Sequence, residues 1–282
     1  MIENIVFSGA GVKIYSFLGF IKALNEFDLL HNIKSFIGTS SGSLIATLCA
    51  SNFKYSEIEE IVLKINIANL KNINAENIMN FFNDYGVDDG GNFSRIIKII
   101  FQHKFKNETI TFKEMYDITQ KNLIITATCV NTMDIEYFDH DRTPDIPVLK
   151  ALLMSISIPI IFKPVKLGEK YYVDGGLIKH YPIDYFKSDK EKTLGILVIN
   201  KLNTYTTINN IQDYIYNVMN CPFMNLVKNC YEDYKDNTVL IEDNTNFIDF
   251  DIEYNTKINL IDNSYNATKK HLELNGSINL EP

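Results

Sequence analysis

The chain has 282 residues, 46% hydrophobic and 22% charged, with 27 basic and 35 acidic side chains for a net charge of −8. This composition excludes a disordered chain, and the length provides for one large domain or two small ones. A net −8 without a segregated basic stripe argues against nucleic acid as a partner. Four scattered cysteines (Cys49, Cys129, Cys221 and Cys230) with no CxxC pair provide neither a disulfide framework nor a metal site, and fit reduced thiols in a cytoplasmic protein.

From the N-terminus, Ile2 to Phe7 reads as a strand and carries no signal-peptide pattern. The small-residue turn Ser8-Gly9-Ala10-Gly11 follows, and then Phe17, Phe20, Ile21, Leu24 and Phe27 recur at helical spacing as far as Leu30. A second strand, Ile33 to Ile37, meets the turn Gly38 to Ser43 and an apolar helix, Leu44 to Ala50. Two consecutive strand–turn–helix units predict a mostly parallel sheet covered by helices.

Residues 55 to 105 have a helical pattern interrupted by asparagines, and Leu123 to Val130 has the apolar, β-rich run of a buried central strand. Ala151 to Met154 reads as a helix end, ahead of a proline-bearing segment from Ile158 to Pro164. Tyr171 to Val173 and Leu194 to Ile199 read as strands and Thr204 to Asn210 as a loop. A helix starting at Ile211 is expected to break near Pro222. The longest uncharged apolar stretch, Ala151 to Phe162, is far short of the about 20 residues of a spanning helix. With no linker composition and no solenoid repeat, one domain over residues 1–282 is expected. Its motifs fall in about residues 1–200, and 201–282 complete it with helices and strands.

Chemistry concentrates at three turns. Gly38-Thr39-Ser40-Ser41-Gly42 is a G-x-S-x-G between a strand and a helix. A nucleophilic serine needs such a sharp turn, and glycines two residues to either side let the chain bend without Cβ clashes. The next helix then directs its free N–H groups at the reacting oxygen. Only one strand–helix unit precedes Ser40, and none of the five histidines has a partner motif, which leaves a carboxylate as an alternative base. The first turn, Ser8 to Lys13, offers backbone N–H groups for a phosphate or an ester oxyanion. It is not a dinucleotide fingerprint, because Ile14 stands where the third glycine belongs. Lys13 either adds positive charge near the site or is a solvated surface lysine. In the third turn, Asp174-Gly175-Gly176 follows an apolar strand, and Asp174 could be held against Ser40 as a general base, with the glycine N–H groups fixing the carboxylate.

These motifs, in this order, resemble the patatin-like phospholipases. Ser155-Ile156-Ser157-Ile158-Pro159, Phe162-Lys163-Pro164-Val165, Thr111-Phe112 and Leu123 to Thr128 extend the resemblance over most of the chain. It implies an α/β fold, a three-layer α/β/α sandwich with a mostly parallel central sheet. It also implies a Ser–Asp dyad of Ser40 and Asp174, an oxyanion hole at Gly9, Ala10 and Gly11, and hydrolysis of acyl esters in phospholipids and other lipids without metal or cofactor. Three residues depart from the family pattern. Ala10 replaces a glycine and requires φ < 0. Ile14 replaces another, and either alters the turn or lines the acyl site together with Lys13 and Ser41. His180 stands where an asparagine is usual, as a structural substitute.

The expected protein is thus a phospholipase A or lysophospholipase. The same dyad would also serve a neutral-lipid lipase or acyl thioesterase, and a non-catalytic lipid binder is the more distant alternative. At net −8, any transient peripheral membrane contact must be local. Cys221 to Val227, with Phe223, Met224 and Leu226, is either such a contact or ordinary core.

Overall fold

The computed structural model describes residues 1–65, 79–201, 207–208, 211–245 and 252–275. Both N-terminal strand–turn–helix units are present. Strand β1 (Asn4–Phe7) leads through a short 3-10 turn (Gly11–Ile14) to helix α1 (Tyr15–Glu26), and β2 (Ser35–Thr39) leads to α2 (Ser41–Ala50). The first helix stops four residues before Leu30. Asp28 takes a left-handed conformation, while the Leu29 and Asp28 N–H groups close on the Leu24 and Asn25 carbonyls. This is a Schellman closure, which satisfies the last carbonyls and turns the chain out. The second helix begins at Ser41 rather than Leu44, because the small residues Ser41, Gly42 and Ser43 form its first turn directly on the elbow.

The 55–105 region contains helices α3 (Tyr55–Lys64), α4 (Phe81–Asp84) and α5 (Gly91–Phe105), with strand β3 (Gly86–Asp88) where only helix was expected. Tyr85, in a left-handed conformation, ends α4 and releases Gly86 into extended pairing. Next come α6 (Phe112–Thr119), capped reciprocally by Thr111 and Glu114, then β4 (Asn122–Cys129) and β5 (Asp134–Phe138). Helix α7 (Val148–Ile156) precedes the short strands β6 (Ile160–Phe162), β7 (Val165–Leu167) and β8 (Lys170–Asp174). A 3-10 stretch (Ile183–Lys192), β9 (Thr193–Ile199), α8 (Ile211–Tyr234), β10 (Thr238–Glu242) and α9 (Tyr254–Leu274) complete the described elements. Contrary to expectation, α8 runs through Pro222. A proline removes one backbone bond, and here the helix continues past it. Most of the loop expected at Thr204–Asn210 lies outside the described residues, as do the side chains of Cys221, Phe223 and Met224.

In the main sheet β10, β9, β1, β2 and β4 lie side by side, all parallel, and β8, β7 and β5 add antiparallel pairings at the β4 end. Both faces of the parallel strands at its centre are buried, and the period-2 alternation of strands assigns residues to them. Ile5 and Phe7 of β1, Phe36 of β2, Leu123 and Ile125 of β4 and Ile196 and Val198 of β9 join a large core with α1, α2, α5, α7 and α9. Val6, Ile37, Ile124, Leu197 and Ile199 point the other way, against Ile183, Phe186 and Val227 of α8. The result is the expected three-layer α/β/α sandwich. No helix among the described residues is long and apolar enough to cross a membrane.

Candidate active site

Strand registry explains how two residues 134 positions apart meet. Residues Ile125 and Thr126 of β4 pair with β2 on one edge and with β5 on the other, whereas Ala127 to Cys129 pair with β5 and β8. Strands β2 and β8 therefore follow one another along the same edge of β4. Thr39 is opposite Thr126 and Asp174 is opposite the next residue, Ala127. Ser40, which follows Thr39, thus leaves its strand at the level where Asp174 arrives on another.

Ser40 has φ 53° and ψ −127°, a region that side-chain-bearing residues rarely adopt. The elbow around it closes only because its flanking residues lack Cβ atoms. A Cβ on Gly38 would sit 2.3 Å from the Gly42 carbonyl oxygen, and one on Gly42 would sit 2.2 Å from the Ser8 carbonyl oxygen. Gly42 thereby brings the first glycine-rich turn, which contains Ser8, down onto the elbow. The Ser40 hydroxyl donates to Asp174 Oδ2 at 2.6 Å. The other carboxylate oxygen, Oδ1, accepts the Gly176 N–H at 2.7 Å. Both side chains are nearly enclosed, with Ser40 9% and Asp174 6% exposed. Burial raises the Asp174 carboxyl to about 6, against the opposite pull of the Ser40 and Gly176 hydrogen bonds. Gly175 lies against Thr126, whose Oγ1 would be 2.5 Å from an added Cβ.

The first turn is arranged differently from expectation. The Gly9 N–H donates to the His180 carbonyl at 2.9 Å, so it is not directed at a substrate oxygen. The Ala10 N–H donates to Ser41 Oγ at 3.1 Å. Ala10 has φ −149°, meeting the condition for replacing glycine, while Gly11 has φ 52°, where glycine is favoured. Ile14 is buried in the main core.

Lys13 is not a surface lysine. It is fully buried, and its Nζ donates to Asn200 Oδ1 at 2.6 Å and to the carbonyls of Ile199 and Asp243. Burial lowers its ammonium to about 8, partly opposed by Asp243. His180 packs its ring against Gly9 and faces the Val198 carbonyl. Burial, with the Lys13 cation nearby, takes its imidazole down to about 3, so the ring is neutral. A carboxylate, not an imidazole, meets Ser40. In the Cys221–Val227 segment, Leu226 is exposed and Val227 belongs to the second core. No group of three or more His, Cys, Asp or Glu side chains among the described residues is placed to hold a metal.

Sequence reasoning missed the residues that hold the elbow. The Ser40 N–H donates to Ser155 Oγ at 2.9 Å, and the Ser40 carbonyl accepts from the Ser43 N–H and hydroxyl at 2.9 and 2.6 Å. Ser43 stood inside the recognised turn. Ser155 had only its place in a Ser-Ile-Ser-Ile-Pro segment to mark it.

Fold and site together define an α/β protein whose serine, on a strained strand-to-helix elbow, faces a buried carboxylate from a second strand. Comparison with known proteins identifies the family. Residues 5–187 match the patatin-like phospholipases, and the chain belongs to that family. It is 33% identical over 223 residues to an uncharacterized protein of Acanthamoeba polyphaga mimivirus, covering 76% of this chain and 73% of that one. It is 32% identical over 236 residues to the probable lipid hydrolase 463L of Invertebrate iridescent virus 6, covering 79% and 78%. Among solved structures, VipD from Legionella pneumophila superimposes with a TM-score of 0.69 at 16% identity, over 97% of this chain and 67% of VipD. The effector ExoU of Pseudomonas aeruginosa gives 0.54 at 15% identity, over 97% of this chain and 53% of that one. At such identities the two structures establish the fold alone.

Proposed function

We propose that the chain is a serine acyl hydrolase that cleaves fatty-acyl ester bonds of phospholipids, as a phospholipase A or lysophospholipase. The observation that carries this reading is the 2.6 Å hydrogen bond from a serine with positive φ to a buried carboxylate. Ser40 Oγ attacks the ester carbonyl carbon as its proton passes to Asp174 Oδ2. The tetrahedral oxyanion displaces the Ser41 hydroxyl from the Ala10 N–H, with Gly11 next to it in the turn. Asp174 returns the proton to the leaving lipid alcohol, and the acyl group remains on Ser40. Water, deprotonated by the same carboxylate, then releases the fatty acid. Family membership and a viral relative named as a probable lipid hydrolase support an acyl-lipid substrate. In this reading the substrate is met in transient contact with a membrane surface. Free Cys49, Cys129 and Cys230 fit a reducing, cytoplasmic setting.

Ser40→Ala and Asp174→Asn test the assignment on a short-chain ester and on phospholipid vesicles. Each is expected to lower kcat by about 10³-fold or more with the fold unchanged by circular dichroism. Near wild-type turnover in either variant overturns the dyad.

A further inference from the structure

One short segment holds the backbone of both dyad residues. Ser155, in the last turn of α7, is 0% exposed, and its Oγ accepts the Ser40 N–H at 2.9 Å. Two residues on, the Ser157 carbonyl accepts the Asp174 N–H at 2.9 Å. The segment is itself anchored, because the Ser157 hydroxyl donates to the Leu153 carbonyl at 2.6 Å. Ser40 and Asp174 come from different strands, and their side chains meet through a single hydrogen bond. The segment ties their main chains to a common support.

The need for such a support follows from the conformation of Ser40. A serine at φ 53° persists only where its surroundings over-determine it. The carbonyl side is held by Ser43 of the same turn, so it moves with the elbow. The N–H side is held from outside the elbow, by Ser155. Without that oxygen the Ser40 N–H becomes a buried donor lacking its partner, and the elbow relaxes to find another.

We propose that Ser155 is a positioning residue for the nucleophile, and that the Ser155–Ser157 segment sets the separation of Ser40 and Asp174. This rests on the reading of Ser40 as nucleophile and Asp174 as base. Ser155 itself touches no reacting atom. Its effect is on how often the Ser40 oxygen is aimed for attack, so it acts on kcat and on the intrinsic reactivity of Ser40, and leaves substrate binding alone.

Three substitutions separate this role from plain packing. Ser155→Ala removes the acceptor, Ser155→Cys keeps the shape with a much weaker acceptor, and Ser155→Thr keeps the hydroxyl. The readouts are the rate at which a fluorophosphonate labels Ser40, kcat and KM on a short-chain ester, and thermal unfolding. For Ala and Cys, labelling rate and kcat should both fall about 10- to 100-fold with KM changed by less than about twofold, and Thr should restore most of the loss. A folded Ala or Cys variant that labels as fast as the wild type overturns the proposal, and so does a Thr variant as slow as Ala. Loss of the fold in both the Ala and Cys variants also overturns it, by making Ser155 a determinant of the fold. A wild-type protein that the fluorophosphonate does not label at Ser40 would instead sink the nucleophile assignment, and the proposal with it.

Discussion

At Asp174 two demands of the proposed mechanism oppose one another: enclosure keeps water off the Ser40 oxygen, yet it disfavours the anion that would take the Ser40 proton. Burial wins in part, and the carboxyl sits at about 6 instead of near 4. If Asp174 is the base, as proposed, it acts only when ionised, and kcat/KM is expected to rise with pH through about 6 and then level off, as an initial-rate profile would show. The Ser40 hydrogen bond favours the charged form, so Ser40→Ala should move the Asp174 midpoint upward, measurable by carboxyl NMR titration. Stability has the opposite dependence. Between about pH 4 and 6 the native state holds a proton that the unfolded chain has released, so this contribution is present below about 4 and lost as pH rises through 6. Asp174→Asn carries no charge to desolvate and should unfold at higher urea than the wild type at pH 7, with the difference vanishing near pH 4. Equal stability at pH 7 would show that the ionised carboxylate is better solvated than its surroundings imply.

Elements meet at this site through missing side chains. A Cβ on Gly42, in the first turn of α2, would lie 2.2 Å from the Ser8 carbonyl oxygen and 2.8 Å from that of Phe7, so Gly42→Ala must push the end of β1 away from the elbow. The expected costs are about 1–3 kcal/mol of stability and more than tenfold in ester turnover, read by urea unfolding and initial rates. Wild-type values in both would mean that β1 and α2 part freely. What could be foreseen in the sequence divides along the same line. The G-x-S-x-G elbow, Asp174-Gly175-Gly176 and the strands from Leu123 and Leu194 are local patterns, legible because turn chemistry and period-2 runs act over a few residues. The partner of the Gly9 N–H is a carbonyl 171 positions away, and that of the Ser40 N–H a serine 115 positions away. Such pairings arise from strand registry, which composition does not encode. Short β5, β7 and β10 escaped notice because three to five residues barely establish a period, and Pro222 misled because tertiary context can carry a helix past a proline.

For the molecule as a whole, the open matter is whether the chain beyond the family match is a separate body. The match ends at residue 187, yet β9 pairs directly with β1, β10 extends the sheet from β9, and Lys13 of the first turn reaches the carbonyls of Ile199, the last residue of β9, and of Asp243, just past β10. The last described helix, α9, buries Leu260, Ile261 and Leu272 in the main core. It crosses α1 where Gly19 leaves no room, an added Cβ lying 2.0 Å from the Ile261 carbonyl oxygen. At the same crossing the Tyr265 hydroxyl donates to Glu26 at 2.6 Å. Residues on both sides of position 200 therefore share one core, and the expected outcome is a single unfolding transition, coincident by circular dichroism and tyrosine fluorescence. Gly19→Ala wedges the two helices apart at backbone atoms that no side-chain rotation can clear. It should lower Tm by roughly 4–10 °C with the transition still single. Below that transition ester turnover should be unchanged, since the crossing involves no residue of the site. A Gly19→Ala protein with two separated transitions, the first confined to loss of helix, would show instead that the C-terminal part unfolds alone and that the N-terminal part carries the site by itself.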